Sequence, residues 1–139
     1  KMAGDILQNN VGVIHWSIAG LSKNPSMLSY LKEGPYKNKA LIPSMNWIKS
    51  DRLAKPSLFV SKTSSEVVMN WNDNKTSSNV AKWILYTRYN NDWETTIIEG
   101  SKLKQAVSKY KDGKNLNAVA LKAVDRLGNE SDYVAEKIN

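Results

Sequence analysis

Residues 115–131, NLNAVALKAVDRLGNES, decide the fold. Val119, Leu121 and Ala123 alternate with Ala118, Ala120 and Lys122, a period of two that predicts a strand with one face on a core. The alternation stops at Asp125. Residues 126–131 then collect turn formers around Gly128 and Asn129, and a last strand is predicted directly afterwards, over 133–138. The stretch reads as a hairpin that closes an antiparallel sheet.

Working back from it, short strands are predicted over 57–62, 66–71, 81–89, 94–98, 102–107 and 117–125, with 133–138 as the seventh. Between them lie the polar loop WNDNKTSSN and the turn sequences NNDW and YKDGKN, rich in Asn, Asp and Gly. Seven short strands without a helical period predict a mainly β chain folded as a β-sandwich. In the second strand Val67, Met69 and Trp71 share a face, so Trp71 is a core candidate. In the third, Trp83 and Leu85 oppose Ile84 and Tyr86, both faces are apolar, and the pattern leaves the inward register open.

The first fifty residues have a different character. Residues 5–10 read as a helix end, and 11–19, VGVIHWSIA, are apolar on both faces, as in a parallel strand covered by helices. A helix is predicted next: Ser22 or Asn24 can cap it, Pro25 suits its first turn, Met27, Leu28 and Leu31 form its apolar stripe, and Gly34-Pro35 stop it. Helix, buried strand, helix is the last unit of an α/β layer. Residues 36–49 carry Leu41, Ile42, Met45, Trp47 and Ile48 around Pro43, which predicts a packed connector and not a free linker. The polar run 51–56, ending in Pro56, marks the expected boundary, giving domains 1–50 and 51–139.

Composition bounds the function. The 139 residues are 41% hydrophobic and 24% charged, ordinary for a globular chain, and no run approaches the roughly 20 apolar residues a membrane helix needs. Cysteine is absent, which removes disulfides, thiolate catalysis and Cys-ligated zinc. The opening KMAGDILQNN has no secretory-signal pattern. The net charge of +7 is spread thinly. Its densest group, Lys102, Lys104, Lys109, Lys111 and Lys114, reads as a solvated strand edge, since edge lysines block edge-to-edge pairing. Nucleic acid is accordingly not an expected partner.

The sandwich resembles a fibronectin type III module. Trp71 matches the Trp such modules carry at the end of their second strand, WILY from Trp83 matches the third, and residues 121–125 match the end of the sixth. The tyrosine of that sixth strand is replaced by Asn117, so the usual tyrosine-corner hydrogen bond is missing from the pattern. Taken with GVIHWS, the following helix, and ALIPSMNW over 40–47, the chain resembles the carboxyl end of the glycosyl-hydrolase-10-like family, common in Bacteroidetes. That resemblance implies a (β/α)8 barrel, of which residues 1–49 would be the last strand and helices, followed by a type III domain. It implies an exported or lipid-anchored parent acting on cell-wall or other polysaccharide, with the barrel as this segment's partner. Severed from its barrel, the strand at 11–19 would be rebuilt locally, docked on the sandwich, or paired with a second copy.

Catalysis has little to draw on. A glycosidase needs two carboxyl groups roughly 5–10 Å apart, and residues 1–50 hold only Asp5 and Glu33, both at helical positions. His15 and Trp16 end the barrel-type strand, where active sites of such barrels are built, and are candidate substrate contacts alongside Trp93. The bland alternative for His15 is a structural residue. Trp83, Tyr86, Tyr89 and Trp93 could form a sugar platform, against a simpler role as core plus a loop aromatic. Asn74-Lys75-Thr76 and Asn129-Glu130-Ser131 match the N-glycosylation pattern, with Asn129 more simply a turn residue. No phosphate loop, metal cluster or nucleophile triad is legible, so no cofactor is expected. The function expected is a non-catalytic accessory domain, with a carbohydrate-binding module or a basic interaction module as rivals.

Overall fold

Among the described residues of the computed structural model, which are 17–45, 47–73 and 79–138, the chain forms eight strands. They are β1 (Ser57–Lys62), β2 (Glu66–Asn72), β3 (Val80–Tyr89), β4 (Asp92–Glu99), β5 (Lys104–Ser108), β6 (Tyr110–Lys111), β7 (Lys114–Asp125) and β8 (Val134–Lys137). β1-β2-β5 make one antiparallel sheet, and β4-β3-β7 make the other, with β6 and β8 both on the far side of β7. This strand order, with the first, second and fifth strands facing a sheet centred on the third and seventh, defines a fibronectin type III-like sandwich.

Alternation explains which side chains fill it. Val67, Met69 and Trp71 from β2 meet Trp83 and Leu85 from β3 and Val119, Leu121 and Ala123 from β7 in a single core. Trp71 and Trp83 pack edge to face, 6.1 Å between ring centroids at 63°, the geometry that aromatic quadrupoles favour. The open register of β3 is thereby settled: Trp83, Leu85 and Tyr89 point inward. Ile84 points outward yet is only 2% exposed. Its register neighbours, Ile97 on β4 and Lys122 on β7, flank it on that face, which is why the sequence of β3 looks apolar on both sides.

The expected strands are present with ends shifted by a few residues. β6 is additional, a two-residue arm joined to β7 through Asp112 (φ 48) and Gly113 (φ 78). Two residues are too few to show alternation. The lysines read as an edge lie on and around β5, β6 and the start of β7, and two of the five are neutralised: Lys111 pairs with Glu94 at 2.8 Å, and Lys114 pairs with Asp92. Both ammonium groups have raised pKa values, chiefly through the hydrogen bond to that acid. The tyrosine bond absent at Asn117 is supplied from a different strand, for the Tyr89 hydroxyl on β3 donates to the Ser108 carbonyl at 2.8 Å and ties the two sheets together.

The chain divides into two compact units, Lys1–Lys39 and Ala40–Asn139. The stretch 40–50 thus belongs with the sandwich, although composition alone changes only after it. In the first unit, α1 (Ile18–Ser22) and α2 (Pro25–Glu33) are described. The α2 signals act as expected: the Asn24 side chain accepts from the Met27 amide at 3.2 Å, Pro25 opens the helix and Gly34 ends it. The strand expected over 11–19 requires a correction at its end, since residues 18–22 are helical. Local bonds satisfy that backbone without a partner strand, as in Lys23 N–H to Ala19 C=O at 3.3 Å. The rest of that expected strand, and the helix end at 5–10, lie outside the described residues.

Candidate functional site

The hairpin loop between β7 and β8 is built on Asp125. Its Oδ1 accepts from the backbone N–H of Leu127 at 2.8 Å and of Asn129 at 2.9 Å, an Asp-centred turn of the kind short acidic side chains favour. Its Oδ2 accepts from Asn129 Nδ2 at 2.9 Å. Burial alone would raise the pKa of this 6%-exposed carboxyl, but hydrogen bonds from the Asn129 side chain and backbone, the Leu127 backbone and Ser50 outweigh it and hold it below the ordinary carboxylate value.

This loop grips the connector. Asn129 Nδ2 also donates to Ser50 Oγ at 2.8 Å, Ser44 Oγ donates to Asn129 Oδ1 at 3.1 Å, and the Met45 N–H donates to the Leu127 carbonyl at 2.8 Å. Gly128, at φ 78, lets the backbones meet: a Cβ there would stand 2.7 Å from the Ile42 carbonyl oxygen and 3.0 Å from that of Pro43. Position 128 accepts only glycine. Gly128→Ala is expected to cost about 2–3 kcal/mol, from the left-handed backbone and the overpacking together, seen as a lower denaturant midpoint at unchanged m-value. The loop's composition pointed to a turn; its second role could have been found in Asp125 and Asn129 four apart around a glycine, a set of local acceptors and donors with more bonding capacity than one turn uses.

Shallow clefts flank the clamp. One, of ≈ 430 Å³, lies between Ser50, Val80, Arg126 and Leu127. Another, of ≈ 330 Å³, is lined by Ile48, Arg52, Leu53 and Asn129. Neither assembles chemistry. Asp125 has both oxygens occupied and a lowered pKa, unsuited to general acid work, and among the described residues no cluster of His, Asp or Glu could hold a metal. Glu33 sits exposed on α2, accepting from Ser29 Oγ at 2.9 Å. Asp5, His15, Trp16 and the Asn74-Lys75-Thr76 site lie outside the described residues. The amide nitrogen of Asn129 donates to two partners, so this residue serves the turn and the clamp.

The four aromatics read as a platform part company. Trp83 and Tyr89 are core residues, whereas Tyr86 is half-buried on the outer face and Trp93 is 53% exposed there. The Arg88 guanidinium carbon lies 5.6 Å from the Trp93 ring centroid, within cation–π range.

No family model matches the chain, and no curated protein matches it. Among solved structures it is similar to a fibronectin type III domain of human collagen XX, at 16% identity and TM-score 0.47, over 71% of this chain and 100% of that one. It is also similar to pectate lyase PelI from Erwinia chrysanthemi in complex with tetragalacturonic acid, at 16% identity and TM-score 0.45, over 58% of this chain and 28% of that one. Pectate lyase Pel3 from Pectobacterium carotovorum is similar at 11% identity and TM-score 0.45, over 61% of this chain and 27% of the lyase. The chain therefore matches little more than a quarter of the length of either lyase.

Proposed function

We propose that residues 40–138 form a non-catalytic accessory sandwich that docks on, and stabilises, a glycoside-hydrolase-like barrel of the same parent protein, with residues 1–39 as part of the barrel's last segment. The observation that carries this reading is Trp47, 79% exposed on a connector whose backbone is pinned by Leu127 and whose neighbours Ile42 and Ile48 are also exposed. Burying a side chain of that kind contributes roughly 1.5–3 kcal/mol, so a fixed display of three suits a partner surface. The first unit supports it separately. α2 has nine residues and no buried side chain, and helices this short are marginal without a neighbour to pack on.

The parent would act on cell-wall or other polysaccharide outside the cytoplasm, its carboxylates supplied by the barrel. Deleting residues 40–139, the whole second unit, from the parent is expected to lower the melting temperature of the barrel and its activity; an unchanged barrel overturns the reading. Trp47→Ser separates docking from folding. It should destabilise the parent and leave the 139-residue chain unaffected, and an equal effect in both would count against docking.

A further inference from the structure

On the outer face of the second sheet, four residues fall in one cross-strand row: Trp93 on β4, Arg88 on β3, Ala118 on β7 and Lys137 on β8. The next row on that face is Thr95, Tyr86, Ala120 and Ala135. Three alanines keep the middle of this surface low, beside an exposed indole and a half-buried tyrosine. The result is a shallow strip with an aromatic wall.

Its charge is one-sided. Elsewhere on the face each lysine has an acid: Lys82 pairs with Glu99, and Lys122 with Glu130 at 2.8 Å. Arg88 and Lys137 have no ion-pair partner among the described residues, and they occupy the same row as Trp93. The Arg88 Nε is buried without a hydrogen-bond partner, which leaves the terminal guanidinium nitrogens, held by no ion pair among the described residues, as the donors beside the exposed Trp93 ring.

We propose that this strip binds a carboxylated polysaccharide. A pyranose ring presents an apolar C–H face that suits the Trp93 indole, while its carboxylate suits the planar donors of Arg88 and the ammonium of Lys137. The hydroxyl groups of Thr95 and Tyr86 lie in the adjoining row and complement sugar hydroxyls. A nucleic acid fits less well, because its phosphates call for a continuous track of free cations, and two of the four cations here are neutralised. An acidic peptide would add to a sheet edge, where its backbone finds hydrogen bonds; this strip crosses the middle of a face. The inference stands apart from the docking role, so failure of either leaves the other intact.

Affinity electrophoresis and calorimetry on the intact 139-residue chain test it, with alginate oligomers as the carboxylated probe, cellohexaose as the neutral one and poly-glutamate as the acidic peptide. Alginate should be bound and released by salt, with cellohexaose and poly-glutamate bound far more weakly. Trp93→Ala and Arg88→Gln should each weaken alginate binding by about tenfold or more while the circular dichroism and melting temperature stay unchanged. Lys137→Gln should reduce the salt dependence. Equal binding of alginate and cellohexaose, poly-glutamate bound as tightly as alginate, or Arg88→Gln without effect would overturn the proposal.

Discussion

Asp125→Ala is expected to destabilise the sandwich by about 3 kcal/mol, because it strips the acceptor from three donors at once and each buried orphan donor costs about 1–3 kcal/mol. The Leu127 and Asn129 amides and the Asn129 side chain all lose their partner. The effect should spread to the connector, since Asn129 can no longer be held in the orientation that bonds Ser44 and Ser50. Limited trypsin digestion should then cut faster at Lys49 and Arg52 in the variant than in the parent chain. Asp125→Asn sharpens the test. It keeps one acceptor oxygen but sets an amide N–H against the Asn129 amide, so it should recover only part of the loss; full recovery would show that charge and acceptor number are irrelevant there.

Acid should imitate that substitution. The Asp125 pKa is lowered in the folded chain, so its contribution to stability is complete above the ordinary carboxylate value of 3.8 and is lost as pH falls through the folded-state value. A denaturation series from neutral pH down to strongly acidic conditions should show a loss in the wild type that Asp125→Ala lacks. A parallel loss in both proteins would assign the acid sensitivity to other carboxylates.

The alternation of β2 and β7 was enough to place Val67, Met69, Trp71, Val119 and Leu121 in the core. β2 has one wet face and writes its orientation into every second residue, while in β7 the larger Val119 and Leu121 face the core and the small Ala118 and Ala120, also buried, lie on the other side. β3 kept its orientation hidden. Its outward Ile84 is buried on a face where Ile97 and Lys122 are its register neighbours, a tertiary fact that no local period carries. The clamp was half legible: Gly128 and Asn129 announced a turn, yet its contacts to Ser44 and Ser50 join residues about eighty positions apart, and no short-range pattern reports them. Tyr89 is a similar case. The corner position at Asn117 was empty of tyrosine, and the cross-sheet bond came from a strand where tyrosine reads as an ordinary β-former. Trp47 went the other way. The apolar residues around it predicted a packed connector, yet Trp47 is exposed among the described residues, the mismatch on which the docking proposal is built.

Trp83→Ala is expected to cost about 3–5 kcal/mol, the range for deleting a large aromatic from a packed core. Trp83 is 1% exposed, its ring meets Trp71 edge on, and its indole N–H donates to the Gly100 carbonyl at 3.0 Å. That bond links the core to the end of β4, where Gly100 is itself irreplaceable: a Cβ would stand 2.4 Å from the Val80 carbonyl oxygen. Losing the indole therefore opens a cavity, orphans a carbonyl and loosens the β3–β4 strand ends together. Since domains of this size are stable by only about 5–15 kcal/mol, the variant should unfold at a much lower guanidinium midpoint, or fail to fold. Trp83→Phe keeps the variant measurable. It retains most of the volume and the edge contact but not the donor, so it should lose about 1–2 kcal/mol, the worth of the hydrogen bond plus a small void. The wider consequence concerns β4, which carries Trp93 on its outer side. If Trp83→Phe lowers the protection of the Glu99 and Gly100 amides from hydrogen exchange and leaves the Trp93 end of the strand unchanged, the indole bond anchors one end of β4 only. A uniform loss along β4 would make the strand a single cooperative unit, coupled to the core through Trp83.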